Sequence, residues 1–189
     1  MVSFCVIAYN EEKNLESLFS DIRNQDYPHE KMEIIFVNAM STDRTRELME
    51  NFAKENNGFS RVKILDNPKK IQAAGWNLAI QEARGDIILR VDAHTMIPPQ
   101  FVTNSVKSIE SGEWVTGGPR PNIVEGNTPW KHTLLLAEKS LFGSSIAPYR
   151  QSHQKSYVKS VFHGAYRKEV FDKAGLFNED LGRTEDNEM

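Results

Sequence analysis

A chain of 189 residues can hold one full domain, at roughly 100 to 200 residues per domain, but not two large ones. Its net charge of −3, with 39% hydrophobic and 26% charged residues, excludes a disordered tail, a collagenous repeat and a membrane bundle, and gives no electrostatic footprint for nucleic acid. The single cysteine, Cys5, cannot form an intramolecular disulfide, and its place in the apolar run Val2-Ser3-Phe4-Cys5-Val6-Ile7 predicts a buried, inert thiol. No stretch approaches the roughly 18 apolar residues of a membrane span, and no basic-then-apolar leader opens the chain, so a cytosolic, unexported domain is expected.

Short apolar runs alternate with amphipathic stretches, the pattern of βαβ units around a parallel sheet. Strands are predicted at Ser3 to Ala8, Glu33 to Val37, Arg61 to Leu65, Asp86 to Val91 and Trp114 to Gly117. The first two are almost continuously apolar, as parallel strands buried on both faces are. Leu15, Leu18, Phe19 and Ile22 share one helical face, with Tyr27-Pro28 as the stop. A second helix is predicted from Ser41-Thr42-Asp43, burying Leu48, Phe52 and Ala53 before Asn56-Asn57-Gly58. A third spans Ile71 to Ala83 with Ile71, Ala74, Gly75, Leu78 and Ala79 towards the sheet, and a fourth follows Pro98-Pro99 as far as Glu110. Trp130 to Phe142 reads as a helix with Leu134, Leu135, Ala137, Leu141 and Phe142 on a broad apolar face; Gly143 to Gln154 reads as a mobile loop. Of Trp76, Trp114 and Trp130, at least two are expected in the core.

In open α/β sheets ligands bind beyond the carboxyl ends of the strands. The residues there are Ala8-Tyr9-Asn10-Glu11-Glu12, Asn38-Ala39-Met40-Ser41-Thr42-Asp43 and Asp92-Ala93-His94, rich in carboxylates, amides and hydroxyls. Neither G-x-G-x-x-G nor G-x-x-x-x-G-K-[ST] occurs, which argues against a dinucleotide-dependent dehydrogenase and a P-loop phosphotransferase. A divalent cation is the alternative partner for phosphate: an extended Asp-x-His would turn Asp92 and His94 to one side, and one nitrogen donor favours Mn2+ without excluding Mg2+. Glu185-Asp186 suits either acids in a first helical turn or a general base. Asn10-Glu11-Glu12 suits either an N-cap or a nucleoside contact.

These motifs in this order, with Thr184-Glu185-Asp186 last and with Gly85-Asp86-Ile87-Ile88-Leu89-Arg90-Val91 leading into Asp92-Ala93-His94, resemble the family-2 inverting glycosyltransferases of the GT-A fold. The run Asn67-Pro68-Lys69-Lys70-Ile71-Gln72-Ala73-Ala74-Gly75-Trp76-Asn77 and the Asp-Ala-His variant of the usual Asp-x-Asp are similar to bacterial exopolysaccharide enzymes of the succinoglycan-biosynthesis type. The resemblance implies an α/β fold with an open, mostly parallel, twisted sheet and helices on both faces. It implies a single catalytic domain over 1–189, with a nucleotide-sugar-binding half at 1–117 and an acceptor-side half at 118–189.

By the same resemblance, Ala8, Tyr9, Glu11, Asn38, Gln72, Asn77 and Asp92 would bind the nucleotide. Asp92 and His94 would hold Mn2+ or Mg2+, Asp186 would be the catalytic base and Glu185 would support it. Asn38 departs from the aspartate usual at that place; an amide donates as well as accepts, which loosens the preference for uridine. The family's Gln-x-x-Arg-Trp motif has no match, so the chain is expected to lack a C-terminal part. The implied partners are a nucleotide-sugar donor, a UDP-hexose above all, and a saccharide or lipid-linked saccharide acceptor at the cytoplasmic face of the cell membrane, with membrane association of the longer protein. Two other functions fit a nucleotide-binding α/β sheet: a sugar-phosphate nucleotidyltransferase, disfavoured by the acidic, glycine-free loop at Tyr9-Asn10-Glu11, and a non-catalytic nucleotide-sugar-binding domain.

Overall fold

The computed structural model describes residues 1–55, 58–118, 128–139, 157–158, 161 and 163–180. Their elements are β1 (Val2–Ala8), α1 (Leu15–Arg23), β2 (Met32–Asn38), α2 (Thr45–Lys54), β3 (Arg61–Asp66), α3 (Gln72–Glu82), β4 (Ile87–Asp92), α4 (Phe101–Glu110), β5 (Val115–Thr116), α5 (Pro129–Lys139), β6 (Ala165–Arg167) and α6 (Glu169–Ala174). They divide into two compact units, one of Met1–Thr116 with the segment from His163, the other Gly117–Phe162. No described helix is long and apolar enough to cross a membrane.

The first unit is an α/β sheet in the order β3-β2-β1-β4-β6-β5. β1, β2, β3 and β4 pair in parallel, whereas β6 runs antiparallel to both β4 and β5. β6, three residues long, and α6, six, are too short to register as periodic segments and had no counterpart in the sequence prediction.

Alternation along the strands sorts the core onto two faces. On one, Phe4, Val6, Ile34, Phe36, Leu89 and Val91 pack with Leu15, Leu18, Phe19 and Ile22 of α1, Met49 and Phe52 of α2, and Val102, Val106 and Ile109 of α4. Each large side chain fully buried there contributes about 1.5 to 3 kcal/mol, as an upper figure. The i, i+3, i+4, i+7 face of α1 is buried as its spacing predicts. α2 differs: it begins at Thr45 and buries Thr45, Met49 and Phe52, while Leu48 and Ala53 are only partly covered. The reason is that residues 41–44 form a loop rather than a first turn.

The second face carries α3, buried nearly all round at Ala73, Ala74, Gly75, Trp76, Asn77, Ala79 and Ile80. It lies close to the sheet at Gly75, where a Cβ would come within 3.2 Å of both Ile7 Cγ2 and Asn67 Nδ2. Trp76 is in this core at 1% exposure, but Trp114 and Trp130 are 43% and 69% exposed, so only one tryptophan packs inside. Trp114 precedes the edge strand β5 and is covered instead by the Lys173 ammonium, 3.8 Å from its ring centroid. Cys5 is buried; desolvation, then the Glu33 charge, raise its thiol far above the ordinary range, as an inert cysteine requires.

In the second unit, α5 starts at Pro129, a residue suited to a first helical position. The Lys131 N–H donates to Thr128 Oγ1 at 3.4 Å. Trp130, Leu134 and Leu136 are exposed, so Leu134 does not lie on a buried face. Leu141, Phe142 and the loop predicted at Gly143 to Gln154 lie outside the described residues.

Candidate active site

β1 sits where strand order reverses, with β2 on one side and β4 on the other, and such a switch point opens a crevice at the carboxyl ends of the strands. Register aligns the ends: Ala8 pairs with Asn38, Asn38 with Asp66, and Ile7 with Asp92. Asn38 and Asp92 therefore flank the end of β1. Ala8 is buried and Tyr9 half exposed beyond it.

The loops after β1 and β2 are cross-linked rather than loosely apposed. Asn10 N–H donates to Ser41 Oγ (3.1 Å), and Thr42 N–H donates to Asn10 Oδ1 (2.8 Å). Glu11 N–H donates to Thr45 Oγ1 (2.7 Å), Glu12 N–H to Asp43 Oδ2 (3.1 Å), and Arg44 N–H to Glu12 Oε2 (3.1 Å). Asp43 Oδ1 also accepts from Thr45 N–H (3.0 Å), which places the helix-start chemistry predicted for Ser41-Thr42-Asp43 at the junction of two loops. Desolvation would raise the Asp43 carboxyl, but the hydrogen bonds from Thr45 and Glu12 outweigh it and leave the group below the ordinary carboxylate range.

Asn38 spends its amide locally: Nδ2 donates to Asp66 Oδ1 at 3.1 Å, and Oδ1 accepts from Ser41 N–H at 3.0 Å. Asp66 also receives the Arg46 guanidinium, and that hydrogen bond, ahead of the one from Asn38, holds its carboxyl low. Asp66 is a polar strand-end residue absent from the sequence-derived set; the rule applied to the other strands, of looking just past each strand end, would have found it beyond Leu65.

β4 ends at Asp92, and the next residues turn, with Thr95 N–H donating to Asp92 O at 3.2 Å. His94 is thus oriented by a turn and not by the extended alternation used to predict it. Its Nδ1 lies 3.3 Å from Glu11 Oε1, tying the β4 turn to the β1 loop, while Asn14 Nδ2 donates to Glu11 Oε2 at 2.6 Å. The turn is anchored from behind: Ile97 N–H donates to Asp21 Oδ2 (3.0 Å), and Gln25 bridges Pro98 O and Val102 N–H. On its other side Thr95 Oγ1 is 2.9 Å from His163 Nε2, and neither residue was foreseen. Non-glycine residues with positive φ are Asn10 (55°), Met40 (57°), Lys70 (58°) and His163 (47°), among the described residues. All four lie in the loops at this one edge, where strained backbone commonly gathers around a site.

Gln72 is exposed on the first turn of α3. Asn77 is buried, with Nδ2 donating to Phe177 O (2.9 Å) and Glu179 Oε1 (3.0 Å) and Oδ1 accepting from Phe177 N–H (2.9 Å). Both amide hydrogens are spent, so in this arrangement Asn77 has no donor left for a nucleotide. Glu185 and Asp186 lie outside the described residues. Among the described residues, no group of three or more His, Cys, Asp or Glu side chains is gathered to hold a metal ion.

The profile of Glycosyl transferase family 2 matches residues 3–175, and the chain belongs to that family. It is 31% identical over its whole length to a dolichyl N-acetyl-α-D-glucosaminyl phosphate 3-β-D-2,3-diacetamido-2,3-dideoxy-β-D-glucuronosyltransferase of Methanococcus voltae, covering 60% of that protein. It is 28% identical, over 95% of its length, to the succinoglycan biosynthesis protein ExoA of Rhizobium meliloti, covering 54% of it. The chain thus spans little more than half the length of these relatives. The fold matches Staphylococcus aureus TarS 1-349 in complex with UDP, with a TM-score of 0.73, 21% identity, and coverage of 98% of this chain and 52% of that 1-349 chain. It matches equally the Pyrobaculum calidifontis mannosyltransferase PcManGT in complex with GDP-Man and Mn2+, with a TM-score of 0.73, 22% identity, and coverage of 99% and 49%. Both likenesses establish the GT-A architecture.

Proposed function

We propose that this chain is the donor-binding and catalytic part of an inverting hexosyltransferase, using a nucleotide-sugar, UDP-linked in the first instance, and a saccharide or lipid-linked saccharide acceptor. The observation that carries this is that Asn38, Asp66 and Asp92 end neighbouring parallel strands around the switch point of a family-2 sheet, Asn38 and Asp66 in register with each other and Asp92 one position back, opposite Ile7. Ala8, Tyr9 and Glu11 form the nucleoside wall, and Asp66, 3.1 Å from the Asn38 amide, offers the carboxylate acceptor that the family usually has at position 38. The M. voltae relative, by its name, acts on a dolichyl-linked sugar phosphate. That supports a lipid-linked acceptor, and with it work at the cytoplasmic face of a membrane.

Asp92 and His94 suit a divalent cation. One supplies oxygen and the other nitrogen, and the Glu11 carboxylate beside His94 Nδ1 is the partner that metal-bound imidazoles commonly have on their second nitrogen. When bound, Mn2+ or Mg2+ supplies positive charge for the departing diphosphate. Asp186 is the base of the proposal, assigned through the family motif. It takes the proton of the acceptor hydroxyl as that oxygen attacks the anomeric carbon, and the carbon–oxygen bond to the nucleoside diphosphate breaks with inversion. Glu185 supports it.

The test is UDP-dependent thermal stabilisation of the chain with Mn2+, with Mg2+ and with chelator, followed by Asp186→Asn. UDP is expected to raise Tm only with a cation. Asp186→Asn should keep UDP affinity within about twofold and lose most turnover of UDP-sugars, since a base acts in the transition state. Equal stabilisation by UDP in chelator removes the cation, and retained turnover removes Asp186.

A further inference from the structure

The chain returns to the sheet through β6 and α6, and the segment that follows, 175–180, leads along the sequence to Thr184-Glu185-Asp186. What holds that segment is local and specific. Phe177 is buried, with its ring centroid 4.5 Å from the Arg90 guanidinium carbon, which is itself 4.6 Å from the Trp76 ring. Asn77 then grips the Phe177 backbone from both sides, through its N–H and its carbonyl, as an added strand would. The third bond of the same amide goes to Glu179 Oε1 at 3.0 Å, and Glu179 Oε2 receives Lys69 Nζ at 2.5 Å. Between these contacts the backbone is turned by Asn178, whose Oδ1 accepts from Asp180 N–H at 2.9 Å.

We propose that Asn77, Glu179 and Lys69 form a positioning latch that fixes where the chain departs towards Asp186 and so places the base against the donor. The proposal rests on the reading of Asp186 as the base. The Asn77 contacts do most of the holding: they are buried, and loss of the amide would leave the Phe177 N–H and carbonyl without partners. The Lys69 pair is half exposed and weak by itself. Its value is connection. Lys69 belongs to the β3–α3 loop, and its neighbour Lys70, in the left-handed region, sets its ammonium 5.7 Å from the centroid of the Tyr9 ring. One short loop thus touches the proposed nucleoside wall with one lysine and the base-bearing segment with the next. This gives Asn77 a task other than the nucleotide contact that the family resemblance implies.

Hydrogen exchange by mass spectrometry over peptides covering 175–180 tests the latch independently of which carboxylate is the base. In the wild type these amides should be protected. Glu179→Gln, which keeps an acceptor for Asn77 but loses the charge, should speed their exchange about fivefold and leave peptides of β1 to β4 unchanged. Turnover of UDP-N-acetylglucosamine or UDP-glucose should fall about tenfold with UDP affinity within about twofold, the split expected of a positioning group. Lys69→Met should do the same to a smaller extent, and its effect should vanish in the Glu179→Gln background. Glu179→Asp should recover part of the loss. Exchange over 175–180 at the unprotected rate in the wild type, or no response to Glu179→Gln in a folded protein, overturns the latch. Multiplicative effects of the two substitutions overturn the part given to Lys69. If Asp186→Asn keeps its turnover while Glu179→Gln still loosens the segment, the base assignment fails and the latch stands.

Discussion

The two edges of the central sheet are both lined with polar side chains, but they use them in opposite ways. At the amino edge Glu33 is 1% exposed, and its Oε1 accepts from Ser3 Oγ (2.6 Å), Arg84 N–H (2.5 Å) and Gly85 N–H (3.2 Å). Arg61 closes the other side as an ion pair at 3.5 Å. A Cβ on Gly85 would lie 2.6 Å from Ser3 Oγ, so the turn into β4 tolerates only glycine against this cluster. At the carboxyl edge the carboxylates are braced from behind, by Arg46 on Asp66, by Asn14 on Glu11 and by Thr45 on Asp43, while Tyr9, Met40 and His94 stand exposed and the backbone turns left-handed. Polar residues at a strand end do not by themselves mark a site. A closed, buried cluster stabilises; a braced and strained row facing outward is available to a ligand.

Substitutions at the two edges should therefore separate stability from binding, and the largest effect belongs to the closed edge. Glu33→Ala removes the acceptor of Ser3 Oγ and of the Arg84 N–H, and one of the two carboxylates facing Arg61, which keeps Glu82. It should cost about 2 to 3 kcal/mol in urea unfolding, the upper part of the range for leaving buried donors unsatisfied, with the UDP affinity of the remaining folded protein within about twofold. At the open edge the expectation reverses. His94→Ala, at a side chain 58% exposed, should leave unfolding nearly unchanged but weaken Mn2+-dependent UDP binding in titration calorimetry about tenfold, or about 1.4 kcal/mol. Loss of stability without loss of binding in His94→Ala would erase the distinction between the edges.

The same contrast shows what was legible in the sequence. The parallel strands could be read because burial on both faces writes continuous apolar runs such as Phe4 to Ala8 and Ile34 to Val37. α1 could be read because its buried face repeats at helical spacing. The strand-end rule then pointed to Ala8, Tyr9, Asn38, Asp92 and His94 without coordinates. The closed cluster was invisible, because Ser3, Glu33, Arg61 and Gly85 are far apart in sequence and meet only through register. The same holds for Asn77, whose spacing on α3 is that of a core residue, and for His163, which is carried to Thr95 by an antiparallel strand of three residues. Trp114 and Trp130 misled because composition gives a side chain's size but not whether an element remains to cover it.

A smaller effect is expected where the two loops are joined. Asp43→Ala removes the acceptor of both Glu12 N–H and Thr45 N–H. Loss of a side-chain to backbone hydrogen bond of this kind costs about 1 kcal/mol. Because the same carboxylate also holds the loop containing Glu11, UDP binding should weaken as well, which no substitution at the closed edge should do. Parallel urea and UDP titrations of this variant check both.

The smallest effect is in the acid limb of stability. Asp66 is held below its ordinary range by the Arg46 hydrogen bond first and the Asn38 amide second, with desolvation opposing. A carboxyl lowered in the folded state binds its proton more readily when unfolded, so its contribution is fully present above the unfolded value, about 3.9. It is lost as pH falls through the lower folded value, when protonation removes the charge facing Arg46. With the Asp66 side chain 47% exposed, solvent screening keeps that contribution at about 0.5 kcal/mol. Asp66→Asn should therefore lower the unfolding free energy by this amount at pH about 6 and converge with the wild type below pH about 3. Urea unfolding at these two pH values decides the matter. A constant difference at both would assign the effect to packing around Arg46 rather than to charge, and Asp66 would then join the closed, structural kind of polar residue instead of the row available to a nucleobase.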